Sequence, residues 1–243
     1  MRKRIDLLLV ERGLFDSRAK ARAAIEAGGV SVDGRMITKA SEAVEAMAEI
    51  VAVAAHDFVG RGALKLDHAL DLWPVTVEGV TVLDVGASTG GFTEVCLRRG
   101  AKRVYAVDVG RDQLHPKIAG DPRVVELSGQ DARTLDASII PIPPDLVVCD
   151  LSFISVTKAL SAALSLARPG ADLVLLVKPQ FEAGRGAVGK GGIVSDPAVR
   201  DACLQTVCRW LEDAAWSVRE RTDSPITGGD GNREFLVWAT RAT

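Results

Sequence analysis

Two different periodicities of apolar and polar positions divide the chain. Near the start, Ile5, Leu8 and Leu9 fall at helical spacing, and Asp16 or Ser17 offers a cap to a second helix that runs through Ala27 and stops at Gly28-Gly29. "VSVDGRMIT" then alternates about Asp33-Gly34, a favoured dipeptide for a two-residue hairpin turn, and the strand-like "IVAVAA" follows Glu42, Glu45 and Glu49. "AAHDFVG" reads as a linker. The expected division is a small α+β domain over 1–55, a linker over 56–61 and a second domain over 62–243.

From about residue 62 the pattern changes. "LKLDHALDLW" predicts a helix, and the apolar runs "VTVLDV", "RVYAVDV", "RVVEL", "DLVVCDL" and "DLVLLVK" come after it, separated by helical segments such as "TEVCLRRG" and "VTKALSAALSLA". Strands alternating with helices predict an α/β fold with a doubly wound, mainly parallel sheet. "WSVRERTDSP" and "REFLVWATR", joined by a Gly-rich turn, add a closing antiparallel hairpin and bring the expected sheet to seven strands.

Composition adds little to this picture: of 243 residues 47% are hydrophobic and 26% charged, with a net charge of −2. The distribution of charge says more, because residues 1–39 carry nine basic against five acidic side chains. The apolar run Leu7 to Val10 is too short for a secretory core, and no stretch approaches the ~18–20 apolar residues of a membrane span. Cys96, Cys149, Cys203 and Cys208 form no C-x-x-C pair, and His56, His68 and His115 are scattered, so reduced thiols, a cytoplasmic location and no metal site are expected.

In doubly wound sheets ligands bind beyond the carboxyl ends of the strands, which directs attention to Asp84, Asp108, Asp131, Asp150 and Lys178. After Asp84, "VGASTGGF" departs from the dinucleotide fingerprint, since Gly86 is followed by Ala87, Ser88 and Thr89 before Gly90 and Gly91, and no Gly-Lys-Ser/Thr of a phosphate loop is present. A glycine turn of this kind lets backbone approach a ligand closely. Asp108 lies where an acid for ribose hydroxyls is expected, roughly 20 residues beyond such a turn.

This arrangement resembles the S-adenosylmethionine-dependent methyltransferases. The resemblance implies that Gly86 to Phe92 surround the methionine portion of the cofactor, that Asp108 with Val109 takes the ribose, and that Asp131 with Ala132 faces the adenine, with Asp84 and Asp150 completing the pocket. Lys65 in "GRGALKL", Asp150 in "CDLSF", Lys178 in "LLVKPQFE" and Glu234 in "GNREFLVW" are similar to the catalytic tetrad of the FtsJ-type ribose 2′-O-methyltransferases. The chemistry needs such a set: a ribose hydroxyl is a weak acid that must lose its proton while attacking a methyl group in line, which calls for positioning and for a base or a field that favours the alkoxide.

"SRAKARAAIEAGGVSVDG" resembles the small RNA-binding module of ribosomal small-subunit protein four, and makes Arg4, Arg18, Lys39 and Arg61 the candidate RNA contacts. The pairing of that module with an FtsJ-type domain, together with "DVGASTGGFTE", "CDLSFIS", "VKPQFEAGRG" and "GGIVSDP", resembles the TlyA family over essentially the whole chain. The resemblance implies cytidine 2′-O-methylation of ribosomal RNA in the large subunit, and in some members also the small one; the compact ends fit the shorter members that modify the large subunit. One departure is Gly60, where Ser often precedes "RG". A non-catalytic ribosome-binding factor and a pore-forming haemolysin are the competing readings: an intact tetrad and glycine turn speak against the first, and the lack of a span or insertion segment against the second. "EAGRGAVGKGGIVSDP" is either a plain connection or a lid that brings Arg185 and Lys190 to RNA phosphates.

Overall fold

The computed structural model describes residues 2–228 and 230–243, with the side chain of Arg185 also outside the described residues. The chain forms two compact units, Met1–Arg61 and Gly62–Thr243, so that residues 56–61 belong to the first.

In the leading unit β1 (Arg2–Arg4) runs directly into α1 (Ile5–Glu11), and α2 (Arg18–Glu26) comes next. Ser17, in extended conformation, accepts the backbone N–H of Lys20 at 3.3 Å, so Ser17 rather than Asp16 is the cap. β2 (Val30–Val32) and β3 (Arg35–Met36) make the hairpin, and both turn residues, Asp33 and Gly34, take the positive φ (49° and 75°) that such a turn requires. β4 (Ala43–Glu45) pairs antiparallel with β1, and β5 (Ile50–Ala52) pairs with β2. The β1–β4 ribbon is not evident in the sequence, because strands of three residues are too short to show a period. Ile5, Leu8 and Leu9 pack against Ala21, Ala24, Ile25, Val30 and Val32 in one core.

The second unit opens with α3 (Ala63–Leu72) and continues as β6 (Thr81–Val85), α4 (Gly91–Arg98), β7 (Arg103–Asp108), α5 (Pro116–Ala119), β8 (Val124–Ser128) and β9 (Leu146–Cys149). Then come α6 (Val156–Ala159), α7 (Ser161–Leu166), β10 (Asp172–Val177), α8 (Pro179–Glu182), α9 (Pro197–Asp213), β11 (Trp216–Asp223) and β12 (Phe235–Arg241). The strands form one seven-stranded sheet in the order β11-β12-β10-β9-β6-β7-β8, in which β12 alone runs against its neighbours. Every residue of β6 and β9 is buried, as expected for central strands covered on both faces. The chain proceeds outward from β6 to β8 and returns on the other side as β9, so the topological switch point lies between β6 and β9.

Three local expectations need correction. "VTKALSAALSLA" is not one helix but α6 and α7, although bonds from Leu160 N to Val156 O and from Leu164 N to Leu160 O continue across the break. Asp131 does not end a strand: β8 stops at Ser128, and Asp131 caps a short 3₁₀ turn over Ala132–Thr134. Asp84 lies inside β6, which runs on to Val85. The 17-residue helix α9, not singled out from the pattern, buries Cys203, Leu204, Val207, Cys208 and Leu211, a stripe at helical spacing.

Candidate active site

The glycine turn brings two strand ends together at the switch point. Gly86 has φ +87°, and a Cβ there would stand 2.7 Å from the carbonyl oxygen of Asp150. Only a residue without a side chain lets β6 and the segment after β9 approach so closely. Gly90, at φ +92°, is the residue just before α4, and a Cβ on it would meet Ile118 at 3.0 Å. Between them the turn is fastened to β7: Gly86 N and Ala87 N both donate to Val107 O, and Ser88 N donates to Asp108 Oδ2 at 2.7 Å. Gly110 N donates to Asp108 Oδ1 at 2.7 Å, so backbone from two turns grips that carboxylate.

A cavity of about 480 Å³ opens at this edge, within the usual range for small-molecule sites. Of the residues expected to hold a cofactor, Gly86, Ser88, Asp108, Val109, Asp131, Ala132 and Asp150 line it, and Ala87 borders a narrow recess beside it. Asp84, Thr89, Gly90, Gly91 and Phe92 do not; Asp84 lies in β6, and the other four form the turn and the start of α4 behind the wall. Asp84 is fully buried, with Oδ2 accepting from Thr93 Oγ1 at 2.6 Å and Oδ1 without a hydrogen-bond partner. Burial pushes its carboxyl up to about 7, against the opposing pull of the Thr93 hydroxyl. Asp131 is the opposite case: hydrogen bonds from the Arg133 side chain hold it down at about 2.

The four tetrad candidates gather at the same edge as two ion pairs. Lys65, in the first turn of α3, is buried with its Nζ 2.5 Å from Glu234 Oε2, and Glu234 is itself 2% exposed. Lys178 Nζ forms an ion pair with Asp150 Oδ1 at 2.6 Å and donates a hydrogen bond to Ser152 Oγ at 2.8 Å. Gln180 Nε2 approaches Glu234 Oε1 at 3.4 Å, and a Cβ on Gly62 would stand 3.3 Å from Asp150 Oδ2, so α3 begins against that carboxylate.

Strand-end position singles out Asp150 in "CDLSF" but not the four residues after it. Leu151, Ser152, Phe153 and Ile154 also line the cavity, as do Gln113, Gln130 and Arg133. Phe153 is 91% exposed and has φ +68°, an unusual backbone for a bulky residue, with its ring centroid 5.3 Å from that of Phe181. An aromatic residue so close behind a strand-end acid is a usable sequence signal. The segment is anchored by Glu182, which accepts from Ser155 Oγ at 2.6 Å and from Val156 N at 2.9 Å, and whose carboxyl burial pushes up. Across the Gly-rich connection, buried Asn232 accepts from Val194 N and donates to Gly192 O, while Lys190 is exposed and the Arg185 side chain falls outside the described residues.

In the leading unit the candidate RNA contacts differ in kind. Arg4 and Arg18 both bond to Asp6, which is fully buried and accepts at 2.9–3.0 Å. Burial alone would push that carboxyl up, but the two guanidinium groups outweigh it and hold it below its ordinary value. Both arginines remain about half exposed, so Asp6 fixes two cations at the surface. Arg61 pairs with Glu26 at 3.6 Å, and Lys39 is exposed.

Comparison with known proteins identifies this architecture. The profile of the FtsJ-like methyltransferases matches residues 58–241, and that of the S4 domain matches residues 3–50. A 16S/23S rRNA (cytidine-2′-O)-methyltransferase TlyA from Mycobacterium tuberculosis is 44% identical over 100% of this chain and 91% of its own length. Hemolysin A of Brachyspira hyodysenteriae is 38% identical over 96% of this chain and 98% of its own. The solved structure of a hemolysin-named protein from Streptococcus thermophilus superposes with a TM-score of 0.78 at 38% identity, covering 99% of this chain and 89% of that one. Among the described residues no helix is long and apolar enough to cross a membrane. With a profile match across the sheet unit and relatives this similar along their full length, the chain belongs to the FtsJ-like methyltransferases, in the TlyA group that carries an S4 domain ahead of the catalytic fold.

Proposed function

We propose that this protein transfers a methyl group from S-adenosylmethionine to the ribose 2′-hydroxyl of a cytidine in ribosomal RNA, acting on ribosomal subunits in the cytoplasm. The observation that carries the reading is the Lys178–Asp150 pair at the switch point of the sheet, in which Asp150 lines the cavity and Lys178 stands directly behind it. The function named for the 44%-identical relative supports the same assignment.

The cavity suits this cofactor on its own chemistry. Among the described residues that line it, three carboxylates, Asp108, Asp131 and Asp150, face a single guanidinium, Arg133, which is already paired with Asp131. Such a wall repels phosphates and accepts a cationic sulfonium ligand. Asp108 would hold the ribose hydroxyls, the Gly86–Ser88 backbone the methionine end, and Asp131 and Ala132 the adenine.

The cofactor supplies an electrophilic methyl group; the protein's residues handle the nucleophile. Lys178 takes the 2′-hydroxyl proton or offsets the charge left on the oxygen, while Asp150 restrains the ammonium. Lys65 contributes a second cation whose charge Glu234 balances, so that the buried edge is not left with an unpaired ion. The leading unit contributes phosphate contacts through Arg4, Arg18, Lys39 and Arg61.

The test is to incubate the purified protein and labelled S-adenosylmethionine with separated 30S-type and 50S-type subunits and map the modified nucleotide. A 2′-O-methylated cytidine is expected in the large-subunit RNA, and the small-subunit arm shows whether that RNA is also a substrate. Label on a base, or on neither RNA, would overturn the reading.

A further inference from the structure

We infer that Ser152 is the residue that aims Lys178 at the substrate hydroxyl, a positioning role that rests on the reading of Lys178 given above. Lys178 does not itself line the cavity; Asp150 and Ser152 do, and the lysine, 8% exposed, sits behind them. Its access to a bound ribose is therefore bounded by one carboxylate and one hydroxyl. These act differently. Coulomb attraction to a carboxylate depends chiefly on distance, so the 2.6 Å pair with Asp150 Oδ1 holds the ammonium close without by itself fixing the direction in which it points. A hydrogen bond to a hydroxyl is directional, and among the described residues the hydrogen bond that Lys178 Nζ makes is the 2.8 Å one to Ser152.

Ser152 is held in place for this task from both sides. On one, Asp150 N donates to Val85 O at 3.0 Å, tying the segment to the end of β6. On the other, Glu182 bonds Ser155 and Val156, and the chain bends at Phe153, whose φ of +68° lies in the left-handed region, between the two anchors. Ser152 thus hangs from a short span fixed at both ends. Because its oxygen accepts from Lys178, its own proton stays available to a group in the cavity. A neutral acceptor also directs the amine without adding a further negative charge to those of Asp150 and Glu234.

The test compares Ser152→Ala, Ser152→Thr and Lys178→Ala in the full-length protein, with ribosomal subunits as substrate, by single-turnover rate at saturating cofactor and RNA. Ser152→Ala is expected to slow transfer by about 10- to 100-fold, the scale of a small misplacement of a reacting group. The unfolding temperature and the half-saturating concentrations of cofactor and RNA should stay near wild type. Ser152→Thr, which keeps the hydroxyl, should recover most of the rate. A fully active Ser152→Ala, a Thr variant as slow as the Ala variant, or a defect confined to half-saturation would each overturn the inference. An inactive Lys178→Ala beside a fully active Ser152→Ala would overturn it alone, whereas an active Lys178→Ala would remove the reading of Lys178 beneath it.

Discussion

Val177 pairs with Phe235 in the last rung between β10 and β12, which run antiparallel. The residues just beyond that rung, Lys178 and Glu234, are therefore brought side by side even though one leaves its strand and the other enters it. The reversed direction of β12 is what makes this possible: a parallel strand would offer its carboxyl end here, and Glu234 would lie at the far edge. Each acid then takes one lysine, Glu234 that of α3 and Asp150 the one that follows β10.

Lys178→Ala should abolish methyl transfer while leaving fold, cofactor binding and RNA binding close to wild type, because Lys178 stands behind the cavity and not in its lining. Lys178→Arg separates two roles. A guanidinium stays protonated and cannot accept the hydroxyl proton, so an Arg variant as inactive as Ala identifies a base. An Arg variant with substantial single-turnover rate identifies a charge stabiliser.

Gly86→Ala should lose cofactor binding. The added methyl would stand 2.7 Å from the Asp150 carbonyl oxygen, and φ of +87° costs a residue with a Cβ about 1–2 kcal/mol. Relieving the clash means separating the ends of β6 and β9 at the cavity. Calorimetric titration with S-adenosylmethionine checks this, and RNA affinity, which we propose the leading unit carries, should survive.

Much of this site can be read along the chain because buried parallel strands appear as unbroken apolar runs, and the first polar residue after each run marks the ligand edge. Asp108, Asp150 and Lys178 are located in this way, and each ends a strand or lies one position beyond it. Asp131 is not, since residues of turn intervene after Ser128. Phe153 and Ser152 sit in a loop without periodicity, and their roles depend on Lys178, Phe181 and Glu182, partners reached only through space. The division into two ion pairs is equally out of reach, because spacing gives the order of Lys65, Asp150, Lys178 and Glu234 but not who touches whom.

Asp84 should make stability depend on pH in a direction opposite to that of a salt-bridged acid. Its folded carboxyl is pushed up to about 7 from an ordinary value of 3.8 by burial. Between those values the folded protein keeps a proton that the unfolded chain has lost, so the contribution of this group falls as pH rises through the window, by at most about 1.4 kcal/mol per pH step. Asp84→Asn keeps an acceptor for Thr93 and cannot ionise. Urea unfolding at pH 5 and pH 7.5 should show a smaller loss of stability on raising the pH in the variant than in the wild type; equal losses would mean that Asp84 is not perturbed.

Phe153→Ala should spare the fold and impair turnover on RNA. A side chain that is 91% exposed contributes little burial, and its φ of +68° is a strained conformation that Ala relieves only in part, so the unfolding temperature should barely move. What the ring offers is a flat apolar face at the cavity rim, backed by Phe181, on which an unstacked base can rest. Stacking of a base on an aromatic is worth about 1–3 kcal/mol, so the loss should be roughly 5- to 150-fold in kcat/KM for RNA. Phe153→Trp, which keeps a stacking face, should retain most of that activity, and cofactor affinity measured without RNA should be unchanged in both variants. An Ala variant with full activity on ribosomal subunits would show that the ring contributes nothing to substrate placement.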